Sequence, residues 1–209
     1  MVTWTGSRRS TPRLSVCTST ARPSRAPQGA QQSYKKFGEE PPDHAIGRSR
    51  GGLTTKNHLV CDGKGRALAF LLTPGQSADT SWLQATLAEI RVPGISGRPR
   101  TRPERVLADK GYPSKANRVW LRRHRIAATI PERNDQIAHR RKKPGSPIDF
   151  GDEQRARYRG RNVVERCFGK LKQWRGIAMR SDKLARNYHA GLCLASTLHW
   201  LTSGFSNTA

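Results

Sequence analysis

Two carboxylates stand where their surroundings could give them a chemical role, and Asp109 is the first. It follows Arg105 to Ala108 (RVLA), an apolar run that predicts a short buried strand, and Lys110-Gly111-Tyr112 then predicts a turn. The ends of strands are where α/β folds place their active groups. An Asp that merely begins the turn before Gly111 is the open alternative.

Glu165 is the second, and its neighbours are more informative. It lies in a predicted helix from about Gln154 to Trp174, with Tyr158 at i−7, Arg161 at i−4 and Lys172 at i+7. At about 100° per residue these four side chains fall within roughly 60° of one another, on a single helical face. On that face the carboxylate could hold a metal ion while the two cations hold phosphate oxygens. An exposed helix with i,i+4 ion pairs is the alternative.

The charge of the chain favours a phosphate-rich partner. Its 209 residues contain 39 Lys plus Arg against 15 Asp plus Glu, a formal net charge of +24. The longest apolar run, Ala67 to Leu72, is far shorter than the ~20 residues that a membrane span needs. The four cysteines form no Cys-x2-Cys pair, and free thiols are typical of the cytoplasm.

The elements that must position these residues alternate between strands and helices. A Thr-rich and apolar run, a Gly-rich turn and a second apolar run predict a hairpin over Leu53 to Cys61 and Arg66 to Leu72. Apolar residues at helical spacing predict a helix over Asp79 to Ile90, and Ser114 is a candidate cap for the next helix. Further along come a strand over Ala127 to Ile130 and a final helix from about Ala185 to Leu201. This order predicts a mixed α/β sheet flanked by helices.

The start of the chain differs in composition from the rest. The first 38 residues carry seven Lys or Arg and no carboxylate, and Glu39 is the first acidic residue. Ser, Thr, Arg, Pro and Gly dominate there without an apolar period, which predicts a disordered basic segment over residues 1–42. The folded domain is then expected over residues 43–205.

The spacing Tyr-x2-Arg-x3-Glu-x6-Lys, matched by Tyr158, Arg161, Glu165 and Lys172, resembles a signature of bacterial insertion-sequence transposases of the DDE class. Other segments are similar to the same family: AIGRSRGGLTTKNHLV, LTPGQSADT, VLADKGY and RNVVERCFGKLKQWRGIAMRSDKLARNY. The resemblance implies an α/β, ribonuclease H-like mixed sheet flanked by helices. It also implies Asp109 and Glu165 as the second and third acids of a catalytic triad, both metal ligands.

The same resemblance implies an activity. Three carboxylates would hold two Mg²⁺ (or Mn²⁺) ions about 4 Å apart for in-line phosphoryl displacement. The substrate would be double-stranded DNA, cleaved at the terminal inverted repeats and joined to target DNA, with Tyr158, Arg161 and Lys172 binding DNA. The implied setting is a homodimer in the synaptic complex, at the nucleoid in the bacterial cytoplasm and without a membrane.

The first acid of that triad is not identified in the sequence. The family needs an Asp on the opening strand, but no carboxylate precedes Glu39, so the sheet is expected to be incomplete at its first strand. With allowed codons, a shifted reading of Arg9 to Ala21 spells a family-like segment with its Asp opposite Ser10 and Thr11. One hypothesis is therefore that residues up to somewhere between Ala26 and Asp43 are translated out of frame.

Three functions stay in view. The first is a transposase whose cleavage of DNA is impaired by the missing acid. The second is a non-catalytic basic DNA-binding remnant that interferes with intact transposase. The third is a basic RNA-binding structural protein, which explains the charge but not the spacing around Glu165.

Overall fold

The computed structural model describes residues 13–21, 44–50, 52–94, 97–142, 144 and 150–205. The prediction of disorder for residues 1–12 and 22–42 lies outside the described residues. The elements in chain order are β1 (Arg13–Ala21), β2 (Gly47–Ser49), β3 (Gly52–Asp62), β4 (Ala67–Pro74), α1 (Asp79–Ala88), β5 (Arg105–Ala108), α2 (Lys115–Arg123), β6 (Ala127–Thr129), α3 (Asn134–Arg141), α4 (Asp152–Arg159), α5 (Asn162–Lys172), α6 (Arg175–Ala178) and α7 (Ala185–Phe205).

The strands form one mixed sheet with β1 at its centre. Strand β1 pairs antiparallel with β3 and parallel with β5. On the outer sides, β4 pairs antiparallel with β3, and β6 pairs parallel with β5. The order is therefore β4-β3-β1-β5-β6, with the short β2 on the first residues of β3. This open mixed sheet flanked by helices confirms the predicted α/β, ribonuclease H-like fold.

Strand β1 differs from the prediction made for the start of the chain. Composition predicted disorder over residues 1–42 and a sheet incomplete at its first strand, yet Arg13–Ala21 is the central strand. Val16 and Ala21 are buried, at 0% and 2% exposure. The segment is ordered because its backbone groups pair with strands on both sides. Local composition does not predict pairing with strands that are distant in the chain.

The sheet is covered on both faces. On one face Val16, Val60 and Ala108 pack with Leu83 of α1 and Leu121 of α2 in a first core cluster. On the other, the side chains of the sheet pack with α5, α6 and α7 in a second core cluster, which includes Leu59, Phe70, Val164, Phe168, Leu171, Ile177 and Leu192. Successive strand residues point to opposite faces, so the two clusters take alternate positions of the same strands.

Several local predictions are confirmed. The hairpin is formed by β3 and β4, and β5 has the predicted bounds Arg105–Ala108. Ser114 caps α2, and its Oγ accepts a hydrogen bond from the Asn117 N–H at 3.0 Å. Within the described residues, no helix is both long and apolar enough to cross a membrane.

The helix predicted from Gln154 to Trp174 is interrupted. It consists of α4 and α5, separated by Gly160 and Arg161. The backbone N–H groups of both residues bond three residues back, to the carbonyls of Arg157 and Tyr158, at 3.0 and 2.9 Å. This tighter 3₁₀-type turn advances about 120° per residue rather than 100°. The motif therefore spans two helices instead of one continuous helix.

A buried polar network ties β1, β3 and β4 to the residues that follow β5. His58 is fully buried on β3, with its Nδ1 3.2 Å from Thr18 Oγ1 and its Nε2 2.9 Å from Thr73 Oγ1. The Thr18 hydroxyl is also hydrogen-bonded to the hydroxyl of Tyr112, which is buried too. Burial lowers the pKa of His58 from 6.5 to about 4, so the ring is neutral at pH 7.

This lowered pKa predicts acid sensitivity. Below pH 6.5 the unfolded chain takes up a proton at His58 that the folded chain does not bind until about pH 4. The contribution of neutral His58 to the free energy of unfolding is therefore fully present above pH 6.5. It is lost as the pH falls toward 4, by up to about 3 kcal/mol. We expect His58→Gln to be less stable at pH 7 but to lose less between pH 7 and 5, measured as the free energy of unfolding in urea.

The matched control is His124→Gln, because His124 is exposed and stacks on Trp120 instead of lying in the core. This variant should keep the pH dependence of the wild type. Equal losses of stability in the wild type and His58→Gln over that interval would show that His58 is not the group responsible.

Candidate functional site

Asp109 is the first residue after β5, at the edge of the sheet. Its backbone carbonyl accepts a hydrogen bond from the Tyr112 N–H at 3.0 Å, which closes the predicted turn. Its Oδ1 accepts a hydrogen bond from the Lys110 N–H at 2.7 Å. The buried Tyr112 anchors the far end of this turn. The backbone of Asp109 is therefore held in place, while its carboxylate stays half-exposed.

Tyr158, in the last turn of α4, contacts this carboxylate. Its hydroxyl donates a hydrogen bond to Asp109 Oδ1 at 3.2 Å. The ring packs edge-on against Phe150, with a centroid separation of 5.9 Å. Burial raises the pKa of the Tyr158 hydroxyl, which therefore keeps its proton and remains a donor.

Arg161 and Glu165 form the other half of the site. A guanidinium nitrogen of Arg161 donates to Glu165 Oε1 at 2.7 Å, and the Arg161 Cζ lies 5.3 Å from the centroid of the Tyr158 ring. The Arg161 side chain is 16% exposed and that of Glu165 52%. The structure thus links the two predicted carboxylates through the chain of contacts Asp109–Tyr158–Arg161–Glu165.

The turn between α4 and α5 makes these contacts possible. Gly160 lies against β5, where an added Cβ would stand 4.0 Å from Leu107 Cδ1 and 3.1 Å from the Arg157 carbonyl oxygen. The tight contact is therefore with the preceding turn of the chain, while Leu107 leaves room for a Cβ. Buried Val164 then anchors α5 in the second core cluster and leaves Glu165 facing solvent.

Lys172 is not part of this cluster. It is exposed in the last turn of α5, about 10 Å along the helix axis beyond Glu165. The helices α4 and α5 are nonetheless basic as a whole, because residues 152–172 contain seven Lys or Arg against three carboxylates. The surface around the site is therefore suited to a polyanion.

Arg161 is incompletely satisfied. Its Nε and Nη1 atoms are buried without a hydrogen-bond partner among the described residues. Leaving buried donors of a charged group unpaired costs free energy, so an added acceptor near Arg161 would be stabilising. A phosphate oxygen or a further carboxylate would supply one.

The donor set does not fit a pair of Mg²⁺ ions. Mg²⁺ requires oxygen ligands in near-octahedral geometry, and the carboxylates here are Asp109 and an ion-paired Glu165. Within the described part of the chain, no three His, Cys, Asp or Glu side chains are grouped so that they could hold a metal ion. The described residues supply no third carboxylate to this site.

Comparisons with known proteins give a matching family and two named relatives. The family described as "Transposase DDE domain" matches residues 15–198. A protein named as a transposase for insertion sequence element IS402, from Burkholderia cepacia, is 33% identical over 164 residues, 78% of this chain and 67% of that protein. A protein named as a transposase for element IS6501, from Brucella ovis, is 28% identical over 150 residues, 71% of this chain and 99% of that protein.

The matched range begins inside β1. It starts at residue 15, before Ala26, so the family resemblance extends into the segment that the out-of-frame hypothesis assigned to another frame. The order of β1 in the centre of the sheet points the same way. Strand β1 is therefore part of the sheet that the matched range covers.

Proposed function

This chain belongs to the family of transposases with a DDE domain, and we propose that it binds the double-stranded DNA of an insertion sequence at the face formed by α4, α5 and the end of β5. The observation that carries the proposal is the linked group Asp109, Tyr158, Arg161 and Glu165 on a basic surface. The DNA would comprise the terminal inverted repeats of the element and its target.

The basic side chains would contact the phosphate backbone. The guanidinium of Arg161 has two nitrogen atoms without hydrogen-bond partners among the described residues, and Lys172 is exposed at the far end of α5, the helix that follows Arg161. Contacts of this kind position a protein on DNA without reading its sequence, and they release counterions, so the affinity depends on salt. The ring of Tyr158 would orient Arg161 at this surface, and its hydroxyl would orient Asp109.

Asp109 and Glu165 are the residues that would hold a divalent cation, Mg²⁺ or Mn²⁺. Such an ion would act as a Lewis acid on a phosphoryl oxygen. Because no third carboxylate is found here among the described residues, we propose that cleavage of element ends and strand transfer are impaired in this chain. The second candidate is a non-catalytic DNA-binding role, in which the chain interferes with intact transposase. The small number of carboxylates among the described residues of the site favours it as well.

The remaining expectations stay predictions from the family resemblance. They are a homodimer in the synaptic complex and a location at the nucleoid in the bacterial cytoplasm. Both follow if DNA ends are paired by two copies of the chain.

Binding to a labelled duplex with the element's ends should weaken steeply as salt increases, measured by fluorescence anisotropy. Lys172→Gln removes one phosphate contact, so we expect weaker binding and a salt slope smaller by about one. Arg161→Gln should weaken binding as well.

The charge-matched control is Arg122→Gln, because Arg122 is exposed on α2, which packs on the opposite face of the sheet. Its effect on affinity should be small. If Lys172→Gln and Arg122→Gln weaken binding equally, the proposed face is not the DNA-binding face.

In a nicking assay with Mg²⁺ or Mn²⁺, we expect the purified chain to cut the same duplex no faster than Glu165→Gln does. The two proteins should also bind DNA similarly, with and without Mg²⁺, if the non-catalytic role is the main one. Metal-dependent nicking that Glu165→Gln abolishes would contradict the proposed impairment.

A further inference from the structure

Helix α7 is apolar on both of its sides. Its inner side packs on the sheet, with Leu192 buried in the second core cluster. Its outer side exposes Leu194, Leu198 and Leu201, which are three of the six large apolar side chains exposed among the described residues. A helix that is apolar all round is normally buried on every side. Within the part of the chain that the structure describes, only the inner side of α7 is covered.

The three exposed leucines form a continuous stripe. Leu194, Leu198 and Leu201 have the spacing i, i+4 and i+7, which places them within about 60° of one another and along about 10 Å of the helix axis. The helix that carries them is fixed on the edge strand β4. The indole N–H of Trp200 donates a hydrogen bond to the Ala67 carbonyl oxygen at 2.7 Å. The leucine stripe is therefore held in place on the surface.

This end of the chain is also without charge. Residues 187–209 contain no Lys, Arg, Asp or Glu, although these types make up 26% of the chain. Binding to DNA depends on cations that contact phosphates, and α7 has none beyond its first turn. Helices that lie on a membrane surface typically carry Lys and Arg on their polar side, which α7 lacks as well. The outer side of α7 is thus unsuited to either a nucleic acid or an anionic membrane.

A second copy of the chain fits this surface. Two copies with a net charge of +24 repel each other wherever their basic faces meet, and the leucine stripe is free of that repulsion. Arg186, exposed in the first turn of α7, is the one cation close to the stripe on this helix. An antiparallel crossing would keep the two Arg186 side chains roughly 30 Å apart, whereas a parallel one would bring them together. That separation exceeds the Debye length of about 10 Å at 0.1 M salt.

We propose that the outer side of α7 is a self-association surface, on which the leucine stripe packs antiparallel against that of a second copy. Two-fold symmetry would place Leu198 near the axis and Leu194 opposite Leu201 of the second copy. A single pair of helices buries less than the ~1,600 Å² of a standard interface, so the dimer is weak and depends on concentration. This association needs no DNA and uses no residue of the candidate site, so the inference goes beyond the proposed function.

The first test is sedimentation equilibrium of the full chain without DNA. We expect dimerisation to tighten when salt rises from about 0.1 M to about 1 M, because salt screens the repulsion but leaves the burial of apolar surface in force. Leu194 is 64% exposed, so Leu194→Gln should leave the monomer folded and weaken dimerisation at least about tenfold. The matched control is Ile137→Gln, at an exposed apolar residue of α3, which should dimerise like the wild type.

The second test addresses the antiparallel arrangement. Leu194→Lys and Leu201→Glu should each weaken dimerisation, since each places a charge against a leucine of the second copy. An equimolar mixture of the two variants should associate again at low salt, because the introduced cation then faces the introduced carboxylate. In a parallel pair these positions would not meet, and mixing would restore nothing.

A wild-type chain that stays monomeric at both salt concentrations would overturn the proposal, as would a dimer that Leu194→Gln leaves unchanged. A monomer that Leu194→Gln makes less stable to heat would overturn it too, because another segment of the same chain would then cover the stripe. If the wild type dimerises but the mixed variants do not, the antiparallel arrangement is wrong. All these measurements are made without DNA, so their outcome is independent of whether the proposed DNA-binding face is correct.

Discussion

The parallel pairing of β1 with β5 is the constraint on which the site depends. It sets which residues of the two central strands enter the first core cluster and which face α5. Val16 and Ala108 are buried on one side, and Cys17, the next residue of β1, packs against the second core cluster on the other. A shift of one residue in β5 would reverse the faces of its side chains and move the position of Asp109 relative to Tyr158.

Arg161 has a central place in the electrostatics of the site. It contacts Glu165 directly, lies over the ring of Tyr158, and through that tyrosine is linked to Asp109. The positive charge of Arg161 thus offsets the repulsion between the carboxylates of Asp109 and Glu165. The same cation still has unsatisfied donors, which makes the neighbourhood receptive to negative charge from a phosphate or from a neighbouring strand.

The sequence predicted those parts of the fold that local patterns encode. The β3–β4 hairpin, the bounds of β5 and the Ser114 cap all depend on residues close together in the chain. Strand β1 was missed because its order comes from partners about 40 and 90 residues away. The interruption at Gly160 was missed because a short tightening of the hydrogen bonds to a three-residue spacing leaves the apolar period of the helices almost unchanged.

The same distinction applies to the site. The spacing of Tyr158, Arg161 and Glu165 was readable because these residues lie within two turns of one another. The hydrogen bond between Tyr158 and Asp109 was not, because it joins residues that are 49 positions apart in the chain. The buried His58 network was also missed, although a histidine inside an apolar strand was a usable signal.

The central position of β1 has a practical consequence for dissecting this chain. A fragment that begins at residue 43 would remove the middle of the sheet and leave β3 and β5 with facing rows of unpaired N–H and C=O groups. Open edges of this kind recruit strands from other molecules, so the fragment is expected to aggregate. Fragments intended for crystallisation or expression should therefore start upstream of Arg13.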